Sequence, residues 1–258
     1  MFGKRIPLFK IFGFRVNVDT TWFILAILIT WTLAEEYFPS HLIGHMDLSR
    51  PAYWGMGIVG AFGLFASIVF HEFFHSLVAR YYGLPMKGIT LFIFGGVAEM
   101  AEEPDNPKTE FLMAIAGPIS SIVLGTGFYF VFLAVGYGPV KAVLHYLFFI
   151  NLFLAGLNML PAFPLDGGRV LRSILWSIKK DLLWATKIAS RMGSGFGIFL
   201  IIMGLYFFIS RQFFPGVWFA LIGMFIRDAS RMSYKRLLRR QAMNNEEIRY
   251  FMHSEPLE

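Results

Sequence analysis

With 258 residues, 56% hydrophobic and 18% aromatic, a formal net charge of +6 and a mean hydropathy of +0.58, the chain is too apolar for a soluble globular domain and reads as an integral membrane protein. The charge could suit nucleic acid or acidic lipid, but in a polytopic chain a basic balance reflects topology instead; membrane lipid is the expected neighbour and nucleic acid is not. Cysteine is absent, which excludes disulfides and thiolate metal sites and leaves nitrogen and oxygen as the only ligands for a transition metal.

The chain opens with MFGKRIPLFKIFGFRVNV, basic and followed by an apolar run with no small-x-small cleavage site after it, and is read as the lead-in to an uncleaved first span. About 20 apolar residues cross a bilayer core, and six stretches meet or approach that length: 20–34, 54–81, 111–135, 139–160, 188–209 and 213–226. The first and last are short. Of the 23 Lys and Arg, only Arg50, Lys141 and Arg211 fall in three of the connections, and the rest fall on the other side of every span. By the positive-inside rule both termini are expected in the cytoplasm, with the protein multi-pass in a cell membrane.

The second span contains FHEFFHSLVAR, residues 70–80. His71 and His75 are four apart, so on a helix their imidazoles lie on one face and can converge on one ion, with Glu72 beside them. Two nitrogen ligands and a carboxylate that can take a proton from water are the HExxH arrangement of a zinc hydrolase. Three ionisable groups at bilayer depth cost several kcal/mol by insertion scales, and such groups mark function. His71 lies nine residues before Arg80, about 13 Å below that end of the helix at 1.5 Å per residue, which puts the metal in the cytoplasmic leaflet. His41 and His45 repeat the spacing without a glutamate and read as solvated polar residues. His145 reads as a helix-pairing residue.

Residues 87–100, KGITLFIFGGVAEM, read as two strands, 89–94 and 97–100, around a Gly95-Gly96 turn. Open strand edges are not tolerated against lipid, so this hairpin lines a water-filled cavity, where its edge could add a strand from a substrate, or sits on the cytoplasmic surface without one.

In the fourth span and beyond, LNMLPAFPLDGGRVLRS, Pro161 and Pro164 end the helix and Asp166 follows at the cytoplasmic end. Asp166 can cap the next helix, but an open zinc site takes three protein ligands and no other carboxylate matches the histidines so well in depth and side. Asn158, buried in the same span, is read either as an interhelical hydrogen-bonding group or as a donor to a substrate carbonyl or oxyanion. The glycine run 192–197 reads as close helix packing. Residues 227–240 form a basic amphipathic segment suited to anionic headgroups.

His71-Glu72-Phe73-Phe74-His75, Ala116-Gly117-Pro118, and Asn158 through Pro161-Ala-Phe-Pro164-Leu-Asp166-Gly167-Gly168 resemble the site-2 protease family of intramembrane zinc metalloproteases. The resemblance implies one zinc ion on His71, His75 and Asp166, Glu72 as general base, and Asn158 at the scissile region. It also implies a substrate-binding role for the hairpin with Gly95 and Gly96, and cleavage of transmembrane segments of substrate proteins within the membrane. The final stretch, EEIRYFMHSEPLE, resembles the opening of a cystathionine β-synthase-type regulatory domain. The natural protein is therefore expected to continue into domains that bind an adenine nucleotide, and no connection has room for an inserted PDZ domain.

The expected fold is an α-helical polytopic membrane protein with six transmembrane helices and a small membrane-associated β-hairpin. Residues 1–226 are expected to form the six-span protease domain. Residues 227–258 would supply a basic juxtamembrane helix and the start of the truncated cytoplasmic domain. The competing function is a membrane metal-ion transporter, since intramembrane His and Asp also mark ion paths. It would need polar groups along the whole route, whereas these cluster toward one face.

Overall fold

Apolar and polar residues alternate at the amino terminus, and the segment folds as strands before the first helix begins. In this computed structural model, which describes residues 5–41, 48–92, 95–100 and 103–253, β1 (Arg5–Ile11) and β2 (Phe14–Asp19) form an antiparallel hairpin. Phe14, Val16 and Val18 are buried while Arg15 is exposed, the period-2 pattern of a strand with one covered face. The turn residues Phe12 and Gly13 both have positive φ, 47° and 91°, as a two-residue type I′ turn requires.

β2 pairs in parallel with β3 (Met86–Phe92), Val16 opposite Ile89 and Val18 opposite Leu91, and β3 pairs antiparallel with β4 (Gly95–Met100). The expected hairpin is therefore half of a four-stranded sheet in the order β1-β2-β3-β4. Its turn is also displaced. Gly95 and Gly96 open β4, opposite Phe92 and Leu91, while residues 93–94, which were expected to end the first strand, lie outside the described residues. Gly88, at φ 151°, sits where a Cβ would come 2.5 Å from the Arg15 carbonyl oxygen, and the register slips beside it, between Met86 and Gly88.

The chain divides into two compact units, Met1–Asn158 and Met159–Glu258, with the boundary inside the region read as one six-span domain. In the first unit Asp19 ends β2, and its Oδ1 accepts from the Thr21 backbone N–H (3.0 Å) and hydroxyl (2.8 Å) to start α1 (Thr21–Thr32). Winding continues through a π-helical turn (Leu33–Tyr37) into α2 (Phe38–His41), so the first span reaches His41 and outruns the apolar stretch. The charge that made the stretch look short is matched: Glu35 Oε1 accepts from Arg50 Nε (3.0 Å), Arg50 Nη2 (2.8 Å) and Trp54 Nε1 (2.8 Å). Then follow α3 (Arg50–Tyr81), α4 (Pro107–Ala134) and α5 (Pro139–Asn158). Leu33, Phe38, Met56, Phe65, Val143, Tyr146 and Leu147 form the apolar core where α1, α2, α3 and α5 meet.

The second unit holds the amphipathic α6 (Asp166–Lys179), α7 (Leu182–Ile209) and α8 (Phe213–His253). Glycines bring α7 and α8 into backbone contact. A Cβ at Gly204 would lie 2.7 Å from the Gly216 carbonyl oxygen, and one at Gly223 would lie 2.6 Å from that of Gly197, the small-residue packing favoured between membrane helices. The basic stretch after residue 226 begins no separate element, because α8 runs through it unbroken. Residues 254–258, the end of the stretch likened to a regulatory domain, lie outside the described residues. Among the described residues six helices are long and apolar enough to cross a membrane.

Candidate metal centre

His71 and His75 lie one turn apart on the buried face of α3, 2% and 5% exposed, with Nε2 atoms 3.1 Å apart. Each ring is anchored through its other nitrogen by α4. His75 Nδ1 is 2.7 Å from the Met113 carbonyl oxygen and His71 Nδ1 is 2.9 Å from Ser121 Oγ. A carbonyl only accepts, so the His75 Nδ1 carries a proton, and in the neutral ring its Nε2 then holds the lone pair. This is the arrangement in which a neutral imidazole ligates a metal through one nitrogen and is oriented by the other.

The donor set fits zinc. Two nitrogens bound tetrahedrally at about 2.0–2.1 Å would be about 3.3–3.4 Å apart, close to the observed separation. Space for an ion is kept by α4: a Cβ on Gly117 would overlap the Nε2 of His75 and come within 2.6 Å of the Nε2 of His71. Glycine at this position leaves the convergence point of both lone pairs open.

Glu72 is half-buried and faces the sheet. A Cβ at Gly96 in β4 would lie 2.7 Å from Glu72 Cγ and 3.1 Å from Ile68 Cγ2, so the strand backbone passes directly over the glutamate. The other hairpin is fixed to the same helix. The rings of Phe12 and Phe14 lie 5.7 and 5.9 Å from that of Phe73, Arg80 Nη1 donates to the Phe12 carbonyl at 2.7 Å, and the Arg80 guanidinium lies 5.5 Å over the Phe14 ring.

A buried polar pair continues the histidine face one turn further along α3. Asn151 Nδ2 of α5 donates to Ser67 Oγ (2.9 Å) and to the Leu147 carbonyl (2.8 Å). Asn158, the last residue of α5, is half-buried, with its Nδ2 3.0 Å from the Leu154 carbonyl oxygen of its own helix.

In the second unit Asp166 is the first residue of α6 and half-buried. The cap position belongs to Leu165, which has no capping side chain, so the reading of Asp166 as the N-cap does not hold. The two glycines after it are explained by the loop folded across them. A Cβ at Gly168 would lie 2.5 Å from Phe163 N, and one at Gly167 would overlap the carbonyls of Met159 and Leu160. The loop is tied by Leu165 N–H to the Ala162 carbonyl (2.9 Å), and the Arg172 guanidinium lies 5.1 Å over the Phe163 ring.

Of the other histidines, His41 is exposed, stacks on Tyr37 at 4.6 Å and has Nδ1 3.0 Å from the Tyr37 carbonyl oxygen. His45 lies outside the described residues. His145 packs between Phe132 and Phe149. Reading the sequence missed Ser121 and Met113. Ser121 lies four residues after Gly117, one turn along the same face of α4, which is a usable signal, but a backbone acceptor such as Met113 has none.

The chain matches peptidase family M50 over residues 59–142 and 134–203. It is 39% identical over 225 residues to the protein sll0528 of Synechocystis sp., covering 87% of this chain and 58% of that one. It is 34% identical over 202 residues to zinc metalloprotease MJ0392 of Methanocaldococcus jannaschii, covering 78% of this chain and 54% of that one. The chain thus spans somewhat over half the length of these two relatives. Among solved structures it is similar to the site-2 protease from Methanocaldococcus jannaschii, with a TM-score of 0.61 and 29% identity over 90% of this chain and 95% of that one.

Proposed function

The chain belongs to peptidase family M50, the site-2 proteases, and on that premise we propose that it is an intramembrane zinc metalloprotease cutting peptide bonds within transmembrane segments of substrate proteins. The observation that carries this reading is the pair of buried Nε2 atoms 3.1 Å apart, with a glutamate between the two histidines. We assign one zinc ion to His71, His75 and Asp166. The carboxylate supplies the third protein ligand that a catalytic zinc site takes, and its placement at the start of α6 under a tied loop supports a fixed ligand.

When bound, zinc supplies a Lewis acid that acidifies a water and polarises the scissile carbonyl. Glu72 accepts a proton from the attacking water and returns it to the leaving amine. A helical peptide bond is screened by its neighbours, so the substrate must unwind first. β4 is an edge strand of the sheet, and its free edge can pair with the unwound main chain by strand addition. Gly95 and Gly96 then present backbone without side chains next to Glu72. Asn158 Nδ2 leaves the Leu154 carbonyl to hold the scissile carbonyl and the charge that develops on it. Both termini lie in the cytoplasm on this reading, where the basic face of α8 meets anionic headgroups.

The test is reconstitution with a single-span substrate, comparing wild type with Glu72→Gln. The variant should keep its zinc and lose cleavage. Cutting at the wild-type rate by the variant would overturn the mechanism.

A further inference from the structure

We propose that Ser230 of α8 is a positioning residue for Asp166, acting through the loop that joins α5 to α6. The proposal rests on the reading of Asp166 as a zinc ligand. Ser230 is fully buried although it lies in the basic stretch that follows the last apolar run. Its single hydroxyl proton lies between two acceptors, the Phe163 carbonyl oxygen at 2.5 Å and the Ile226 carbonyl oxygen of its own helix at 2.7 Å. The usual partner of a helical serine is its own backbone, so the bond to Phe163, 67 residues away in sequence, is the informative one.

The loop is gripped at the same point from α7. A Cβ on Gly193 would come 2.8 Å from Phe163 N and would overlap both the Phe163 carbonyl oxygen and Ser230 Oγ. Ser190 Oγ, one turn earlier, donates to the Ser230 carbonyl at 2.6 Å and fixes α8 against α7 at this level. Phe163 is thus held by a hydroxyl from α8, a bare backbone on α7 and the Arg172 guanidinium of α6. It stands three residues before Asp166 and rests on Gly168, two residues after it. A shift of the Phe163 backbone therefore moves the first turn of α6 and its carboxylate, and ligand placement within about 0.5 Å is what a metal site requires.

The experiment measures zinc affinity of the full purified chain by competition with a chromophoric chelator. It is paired with the cobalt(II) d–d spectrum as a report on ligand geometry and with thermal unfolding as a check on folding. Ser230→Ala should weaken zinc by up to about 10-fold, the low end of the range for direct partners of ligands, because it acts through Phe163, and should shift the cobalt spectrum. Gly193→Ala, which pushes on the loop by sterics alone, should do the same. Ser190→Ala loosens the anchor of α8 but leaves the hydroxyl on Phe163, and should weaken zinc less than Ser230→Ala does. In an Asp166→Ala background Ser230→Ala should add nothing. If Asp166→Ala alone leaves affinity unchanged, the ligand reading fails. If Asp166→Ala weakens zinc while Ser230→Ala and Gly193→Ala do not, this proposal fails by itself. Equal losses in Ser190→Ala, or full additivity with Asp166→Ala, would reduce Ser230 to a packing residue and overturn it too.

Discussion

Gly96 of β4 and Glu72 of α3 leave no room between them for a side chain, since a Cβ at residue 96 would fall 2.7 Å from Glu72 Cγ. A strand backbone at that distance makes the sheet one wall of the glutamate's surroundings. Gly96→Val should therefore displace the Glu72 carboxylate without touching a metal ligand. Turnover should fall by about 100-fold, the cost of misplacing a reacting group by about 1 Å, while zinc content stays at the wild-type level by elemental analysis.

Gly117→Ala attacks the same chemistry from the opposite helix. Its methyl would occupy the point where the two Nε2 atoms converge, so zinc affinity should drop by at least about 100-fold, beyond the loss from removing a partner of a ligand. Equilibrium dialysis of the full chain against zinc checks this, and normal affinity would mean that the ion does not sit between the rings.

Ser121→Ala removes the partner that orients His71. The ring loses the hydroxyl that holds its orientation, and zinc should bind about 10- to 100-fold more weakly. Ser121→Thr keeps the hydroxyl and should recover most of the affinity, an outcome that a packing role would not produce.

Stripping the protein with a chelator should abolish cleavage, and stoichiometric zinc should restore it. Titration of the stripped protein should end at one zinc per chain, and His75→Ala should remove that equivalent.

Arg80→Ala tests the hold of the first hairpin. The side chain is exposed and contributes one bond to the Phe12 carbonyl and its contact over the Phe14 ring, so global stability should fall by about 1–2 kcal/mol. Amide exchange in β1 and β2 should accelerate while zinc affinity is unchanged.

The histidine pair could be read from the sequence because a helix turns i, i+4 spacing into a shared face, and α3 ends at Tyr81 as its apolar stretch does, although it begins at Arg50, four residues before that stretch. What supports the pair was less legible. Met113 acts through its backbone, which leaves no mark on residue choice. Phe14, Val16 and Val18 alternate as a strand should, but the lysines and arginines beside them resembled the flank of a span, and the Phe12-Gly13 turn lacks the Asn or Asp that usually announces a hairpin. Gly95 and Gly96 read as a turn because glycine is permissive; both lie in β4 instead, and at Gly96 the absence of a side chain is what the closeness of Glu72 requires. The first and last spans were drawn short because Glu35 and Arg227 end the apolar runs. Apolarity marks where a segment enters lipid and not where its helix stops, and Glu35 is neutralised by Arg50.

The parallel pairing of β2 with β3 also dictates an order of assembly. Val16 and Ile89 are neighbours in the sheet, yet α1, α2 and α3 lie between them in the chain. During synthesis β1 and β2 leave the ribosome first and must wait, one edge unsatisfied, until the intervening helices have been made and β3 arrives. The wall beside Glu72 is therefore completed only after the helix that carries Glu72 has been made, so the newborn chain holds that carboxylate before it holds the strand that passes over it.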